Sequence, residues 1–206
     1  MNKNIVLCGV GGQGTVLASK LIAAAAMKKG LSVMSAETIG MAQRGGSVFS
    51  HIRIGEGLHS PMIGRGKADV ILAFEPGEAV RMLPYLRKGG QAVVSARGIM
   101  PVTSALSGSS YKSEYMLAYL EKNVEHLLVI DTERACGEIG SSKVINILLL
   151  GAAVYSGALG LSDRDIKEII KERVPERFHE MNLRALAYTK EYVIQNSLKS
   201  AGKERQ

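Results

Sequence analysis

One stretch limits the folds open to this chain more than any other: VLCGVGGQGTVLASKLIAAAAM, residues 6–27. An apolar run enters four glycines, Gly9, Gly11, Gly12 and Gly14, and leaves into an alanine-rich segment. Residues 4–8 (NIVLC) predict a short, fully apolar strand. Residues 13–28 predict a helix, with Thr15, Val16, Leu17, Ala18, Leu21 and Ile22 on its buried side. Alanine makes that helix strong and slim enough to lie close against a sheet. Gly30 is placed to end it, and residues 31–37 (LSVMSAE) predict a second strand. Strand, glycine turn, helix and strand make one βαβ unit.

The pattern continues. Residues 38–69 are rich in Gly, Ser and Arg; a strand is predicted within them at Ser47–Ile54, with a hairpin at Gly55–Gly57. Residues 69–74 (DVILAF) predict a buried strand. Residues 76–86 predict a helix that Pro84 ends or kinks, and residues 89–96 a strand. Residues 97–111 read as a long loop. A helix at 112–123 and a strand at 126–132 follow. The strongly apolar 141–159 predicts a helix that Ser141 or Ser142 caps. Residues 162–174 carry a second N-cap pattern, with KEIIKER (167–173) as a solvated face, and 176–198 predict the final helix. Alternating strands and helices imply a mostly parallel sheet covered on both faces. The expectation is one Rossmann-like, three-layer αβα domain over residues 1–198, with 199–206 as a flexible tail.

Composition excludes several function classes. Lys and Arg outnumber Asp and Glu by 26 to 19, giving a net charge of +7. That suits a phosphorylated ligand, an acidic partner surface, or simply a basic solvated face. Aromatic residues are 5% of the chain and Trp is missing, so platforms for stacking nucleic-acid bases are scarce. No apolar run reaches the ~18 residues of a membrane span. The amino terminus enters a strand directly, without a signal peptide's apolar core, which points to the cytoplasm. The two cysteines, Cys8 and Cys136, fit a reducing compartment and fall short of the four ligands an iron–sulfur cluster usually takes. His51, His59, His126 and His179 show no metal-ligand spacing. No metal is expected on this chain.

Gly9, Gly11 and Gly14 satisfy G-x-G-x-x-G between a strand and a helix. There a tight turn and a helix amino terminus together offer backbone N–H groups to a phosphate. Glu37, ending the second strand, lies near the distance at which an acidic residue engages a ribose hydroxyl. A free-standing NAD(P)-binding oxidoreductase is therefore one reading. Two features depart from that fingerprint: Gly12 is an additional glycine, and Gln13 puts a polar side chain inside the loop. One α/β unit also leaves little chain for a substrate domain. In the plainest alternative the glycines only let strand and helix pack closely.

With GVGGQG, the segments AQRGGSVFSHIRIG, SPMIGRGKADVILAFEPGEAVRMLPYLRKGGQAVVS and GSSKVINILLLGA complete a broader pattern. Over residues 3–190 the chain resembles the gamma-type module of 2-oxoacid:ferredoxin oxidoreductases, and within them the indolepyruvate type. The resemblance implies an activity shared between subunits: oxidative decarboxylation of a 2-oxo acid, here indolepyruvate or another aryl pyruvate. Coenzyme A receives the acyl group and ferredoxin the electrons. It places thiamine diphosphate, Mg and [4Fe–4S] clusters in a large partner subunit, with coenzyme A possible at the interface and no cofactor held tightly by this chain. Its candidate site residues are Gly9, Gly11, Gly12, Gln13, Gly14, Gln43, Gly45, Gly46, Lys143 and Asn146, with Arg44 as the possible catalytic group in a shared site.

The residues bear on this independently. Gly45 and Gly46 allow close backbone approach, and Arg44 offers a planar fork for a carboxylate or phosphate, or else a surface ion pair. Lys143 and Asn146 stand one helical turn apart after Gly140-Ser141-Ser142, a setting for an anion or for a buried Asn beside a solvated Lys. Ser47 is a possible ligand contact or merely a strand start. Arg53, two residues from His51 on one strand, is set for an acidic partner. Glu37 in this reading only orients the 38–46 loop.

Overall fold

The computed structural model describes residues 1–38, 40–100 and 111–203. Strand β1 (Lys3–Val10) occupies the interior of a six-stranded sheet, with Ile5, Val6, Leu7 and Cys8 fully buried. A run apolar on both faces is what a doubly covered strand requires. Helix α1 (Thr15–Lys28) returns across one face, burying Ala18, Leu21, Ile22, Ala25 and Ala26. Gly30, at φ 76°, turns the chain out of it.

Strands β2 (Val33–Glu37), β3 (Ser47–Ile54), β4 (Ala68–Ala73), β5 (Leu86–Ser95) and β6 (His126–Ile130) complete the sheet in the order β2-β3-β1-β4-β5-β6. β1, β4, β5 and β6 pair in parallel, whereas β3 runs antiparallel to both β1 and β2. Helices α2 (Pro76–Met82) and α3 (Ser113–Asn123) cover one face. α1, α4 (Thr132–Ile139), α5 (Ile145–Tyr155), α6 (Asp163–Arg173) and α7 (His179–Lys203) cover the other. This is the three-layer, mostly parallel α/β arrangement expected from sequence.

The structure corrects several details. β1 and β2 are not neighbours: β3 lies between them. The antiparallel turn therefore falls at 38–46, joining β2 to β3, and not at Gly55–Gly57, because β4 pairs with β1 instead of β3. Leu17, expected inside, is 39% exposed, while Ser19 is buried. The 141–159 helix opens as a 3₁₀ turn (Ser142–Val144) with Ser141 accepting from the Lys143 N–H, and its α-helical part ends at Tyr155. α4 was not foreseen, although Asp131 caps it and Gly140 ends it in the left-handed region. Ser162 forms a capping box with Asp165 at the start of α6, as its sequence suggests. α7 runs on to Lys203; residues 204–206 of the expected tail, and 101–110 of the expected 97–111 loop, lie outside the described residues.

Candidate functional site

The chain reverses its order of strands at β1: β3 and β2 lie on one side, β4, β5 and β6 on the other. In open α/β sheets ligands bind in the crevice at such a switch point, beyond the carboxyl ends of the strands. Here Gln13 closes that crevice. Its Oε1 accepts from the Val10 N–H at 2.7 Å, and its Nε2 donates to the Phe74 carbonyl at 2.8 Å. One side chain thus ties the end of β1 to the residue after β4. Gly9 makes room for it: a Cβ there would come within 2.8 Å of both Gln13 Oε1 and Phe74 Cβ.

A second segment roofs the loop. The Gly11 N–H donates to the Gly46 carbonyl at 2.8 Å, and the Gly45 N–H donates to the Gly11 carbonyl at 3.3 Å. A Cβ on Gly11 would stand 2.4 Å from the Ala42 carbonyl oxygen and from the Gln43 carbonyl carbon. Only glycine permits that approach. The roof holds its own shape through a 3₁₀ turn at Met41–Gln43 and a bond from Gln43 Nε2 to the Thr38 carbonyl, 2.9 Å. Arg44 follows on the exposed surface of this roof and makes no ion pair among the described residues. Beside it Met41 is 79% exposed.

The amino end of α1 is open. Gly14 caps it in the left-handed region (φ 86°), with no side-chain hydrogen bond and no acidic residue in the first turn. The unsatisfied N–H groups and the positive end of the helix dipole are therefore available. A cleft of about 300 Å³ lies there, lined by Gly11, Gly12, Gly14, Thr15, Val16, Gln43 and Val48. The glycine loop and Gln43, about 30 residues apart in sequence, line the same cleft.

Lys143 and Asn146 do not line this cleft. Asn146 is 6% exposed and packs against Gly14, where a Cβ would meet its side chain at 3.1 to 3.3 Å. Both line a separate cavity of about 220 Å³ with Leu17, Phe178 and Met181. The remaining candidates serve the fold. Glu37 accepts from Ser19 Oγ at 2.9 Å, which holds β2 against α1. With β3 interposed, the end of β2 is two strand spacings from β1, about 9–10 Å, so Glu37 is not poised beside the glycine loop as in a dinucleotide site. Arg53 donates to Asn4 Oδ1 (3.1 Å) and the Ser60 carbonyl (2.9 Å). His51 is buried between Phe49 and Tyr85, and its Nδ1 accepts from the Ile63 N–H. Burial pushes its pKa down. Both cysteines are buried, and Cys8 has its thiol pKa raised by burial and by nearby Glu78 and Glu75.

The sequence reading missed one polar cluster. Glu75 (3% exposed) caps α2, accepting from the Glu78 N–H at 2.9 Å, from the Tyr111 hydroxyl, and from the Ile99 N–H at 3.4 Å. Burial raises its carboxyl pKa. Glu78 accepts from Ser47 Oγ at 2.5 Å and from Arg81 at 3.2 Å. The signal was Glu-Pro-Gly-Glu, with proline at the first helical position behind an acidic cap.

Comparison with known proteins follows the same lines. An indolepyruvate oxidoreductase subunit IorB from Thermococcus kodakarensis is 40% identical over 88% of this chain and 91% of its own length. The common gamma subunit of the pyruvate/ketoisovalerate oxidoreductases of Pyrococcus furiosus is 29% identical over 91% of this chain and 96% of its own. Among solved structures, the gamma subunit of a keto/oxoacid ferredoxin oxidoreductase from Geobacter sulfurreducens superposes with a TM-score of 0.69 at 24% identity, covering 94% of this chain and 99% of that one. A 2-oxoglutarate:ferredoxin oxidoreductase from Magnetococcus marinus, with 2-oxoglutarate, coenzyme A and succinyl-CoA bound, gives 0.70 at 20% identity, over 94% of this chain and 31% of the other. With its family model matching residues 4–192, the chain belongs to the pyruvate ferredoxin/flavodoxin oxidoreductase family.

Proposed function

We propose that this chain is the small subunit of a cytoplasmic 2-oxoacid:ferredoxin oxidoreductase that acts on indolepyruvate and related aryl pyruvates. The observation that carries the substrate class is the 40% identity to an indolepyruvate oxidoreductase subunit over nine-tenths of both chains, against 29% to a pyruvate/ketoisovalerate subunit. In the overall reaction an aryl pyruvate, coenzyme A and two oxidised ferredoxins give the aryl-acetyl-CoA, carbon dioxide, a proton and two reduced ferredoxins. Thiamine diphosphate and iron–sulfur clusters, held by a large partner subunit, supply the decarboxylation and electron-transfer chemistry.

This chain's part is binding. The open end of α1 and the glycine loop present N–H donors to an anionic group, and Arg44 stands exposed with no acidic partner among the described residues. That combination suits a phosphate of coenzyme A held between the subunits. The roof around Met41 and Arg44 is the docking face for the partner, and the +7 net charge favours an acidic surface opposite it. The free-standing NAD(P) reading loses its support, because Gln13 fills the switch-point crevice and Ser19 engages Glu37.

The test is reconstitution. This chain, co-purified with its large subunit, is expected to reduce a viologen dye with indolepyruvate and coenzyme A, and far more slowly with pyruvate or 2-oxoglutarate. No indolepyruvate-dependent reduction by an intact, cluster-loaded complex would sink the assignment.

A further inference from the structure

The cavity that holds Lys143 and Asn146 is distinct from the glycine cleft, across the Gly14–Asn146 contact. It forms where the first turns of α1 and α5 meet the junction of α6 and α7. Leu17, Ile147, Phe178 and Met181 make its walls apolar. Leu17 faces it from a half-exposed position that a merely packed helix residue would not need.

Four polar side chains, Lys143, Asn146, Arg173 and Asn182, interrupt the apolar lining. Asn146 is more than nine-tenths buried, and its Oδ1 accepts from the Ile147 N–H at 3.0 Å. That bond fixes the orientation of the amide, so Nδ2 remains as the donor on this side chain. Lys143 and Arg173 stand exposed at the rim, and neither has an ion pair among the described residues. Two unpaired cations over an apolar floor favour an occupant with one anionic end and one apolar body.

Size narrows the class. The volume of about 220 Å³ lies below the usual ~300–1,000 Å³ range of drug-sized sites. A nucleotide is too large for it, and inorganic phosphate would leave the apolar walls uncovered. We propose that this cavity binds a small aromatic monocarboxylate: the ring lies between Leu17, Ile147, Phe178 and Met181, the carboxylate meets Lys143 and Arg173, and Asn146 Nδ2 donates to an oxygen of the ligand. The site belongs to this chain alone and does not depend on the activity proposed above.

The experiment titrates the purified full-length chain, without partner or coenzyme A, with indole-3-acetate, followed by calorimetry and saturation-transfer NMR. Indole-3-acetate is expected to bind with ring protons in contact, the neutral indole-3-ethanol roughly tenfold more weakly, and acetate not detectably. Leu17→Trp, which narrows the cavity, is expected to abolish binding. Arg173→Ala, at an exposed position that leaves the core untouched, is expected to weaken it by about tenfold. Three results would each overturn the proposal: no saturation transfer to the native chain, equal affinity for the neutral analogue, or unchanged binding in a folded Leu17→Trp. If the cavity instead seats a side chain of the large subunit, indole-3-acetate does not bind and Leu17→Trp weakens assembly. Because the readout needs no turnover, binding and the oxidoreductase assignment fail separately.

Discussion

Helices α1 and α2 begin at equivalent places, just past the carboxyl ends of the neighbouring parallel strands β1 and β4, yet the two starts are opposites. α2 opens on a buried carboxylate: Glu75 caps it, Pro76 fills its first position, Glu78 lies in its first turn, and Tyr111 completes the shell. Its dipole is met from within the chain. α1 opens on Gly14 with no side-chain cap and no acid nearby in sequence, and its neighbouring side chain, Gln13, is spent on the strand ends instead. A helix start that is already satisfied contributes stability and has nothing left to offer a ligand. One left open gives up about 1 kcal/mol of capping and retains donors for something outside the chain. The same fold element thus serves structure in one case and binding in the other.

The strongest way to break this comparison is to push the roof off the glycine loop. A side chain at Gly11 meets the backbone of Ala42 and Gln43, which cannot step aside as a flexible side chain would. Gly11→Val is expected to cost about 3 kcal/mol in urea unfolding and to abolish activity of the reconstituted complex. Gly12→Ala meets no atom within 4 Å and carries only the strain of its φ of 101°, about 1–2 kcal/mol. Equal losses for the two would show that the roof does not rest on Gly11.

At α2 the expected effect is on stability only. Glu75→Ala removes the cap and strands the Tyr111 hydroxyl and the Ile99 N–H, for a loss of about 2 kcal/mol. Activity per folded complex should be unchanged; a large loss of turnover in a fully folded variant would move Glu75 into the functional site. A smaller effect follows from its titration. Burial raises the Glu75 pKa, and Glu78 nearby adds to that, so the folded chain holds this proton more tightly than the unfolded one. The linked stability is present at low pH and is lost as pH rises from the ordinary carboxylate range through the folded pKa. Asp163 and Asp165, whose values are lowered, slope the other way. The difference between native chain and Glu75→Gln isolates the term: native minus variant stability should fall with rising pH, and a flat difference would contradict it.

What was legible in the sequence was what is local. The capping box at Ser162, the glycine loop between strand and helix, and the apolar core of β1 each depend on residues a few positions apart. The insertion of β3 between β1 and β2 depends on which strands pair across the sheet, and alternation in 47–54 is the same whichever neighbours it takes. That one unseen pairing decides that Glu37 is a strut to Ser19 and not a ribose ligand. The bond of Gln13 to the Phe74 carbonyl is not visible in the loop motif, because Phe74 is 61 residues away. Glu75 escaped notice for the same reason, since Tyr111, 36 residues on, makes it a hub. α4 was legible and went unread: Thr132, Ala135, Cys136 and Ile139 fall on one buried face at helical spacing, and Asp131 and Gly140 mark both its ends. At the candidate site, Arg44 and the glycines were visible as types; that 42–46 roofs Gly11 was not.

Arg44 gives the smallest expected effect on the fold and the sharpest test of the open helix start. It is exposed and unpaired among the described residues, so Arg44→Ala should shift unfolding by no more than about 0.5 kcal/mol. If it meets a phosphate of coenzyme A beside the free N–H groups of α1, the variant complex should show a KM for coenzyme A raised roughly tenfold or more, with the KM for indolepyruvate little changed. Arg44→Lys keeps the charge and loses the fork, and should recover part of that loss. Higher salt should raise the native KM and leave that of Arg44→Ala nearly flat, since a charge contact is screened and an absent one is not. If assembly weakens and kinetics per assembled complex stay native, Arg44 belongs to the docking face. The open end of α1 then serves the partner chain and not the coenzyme.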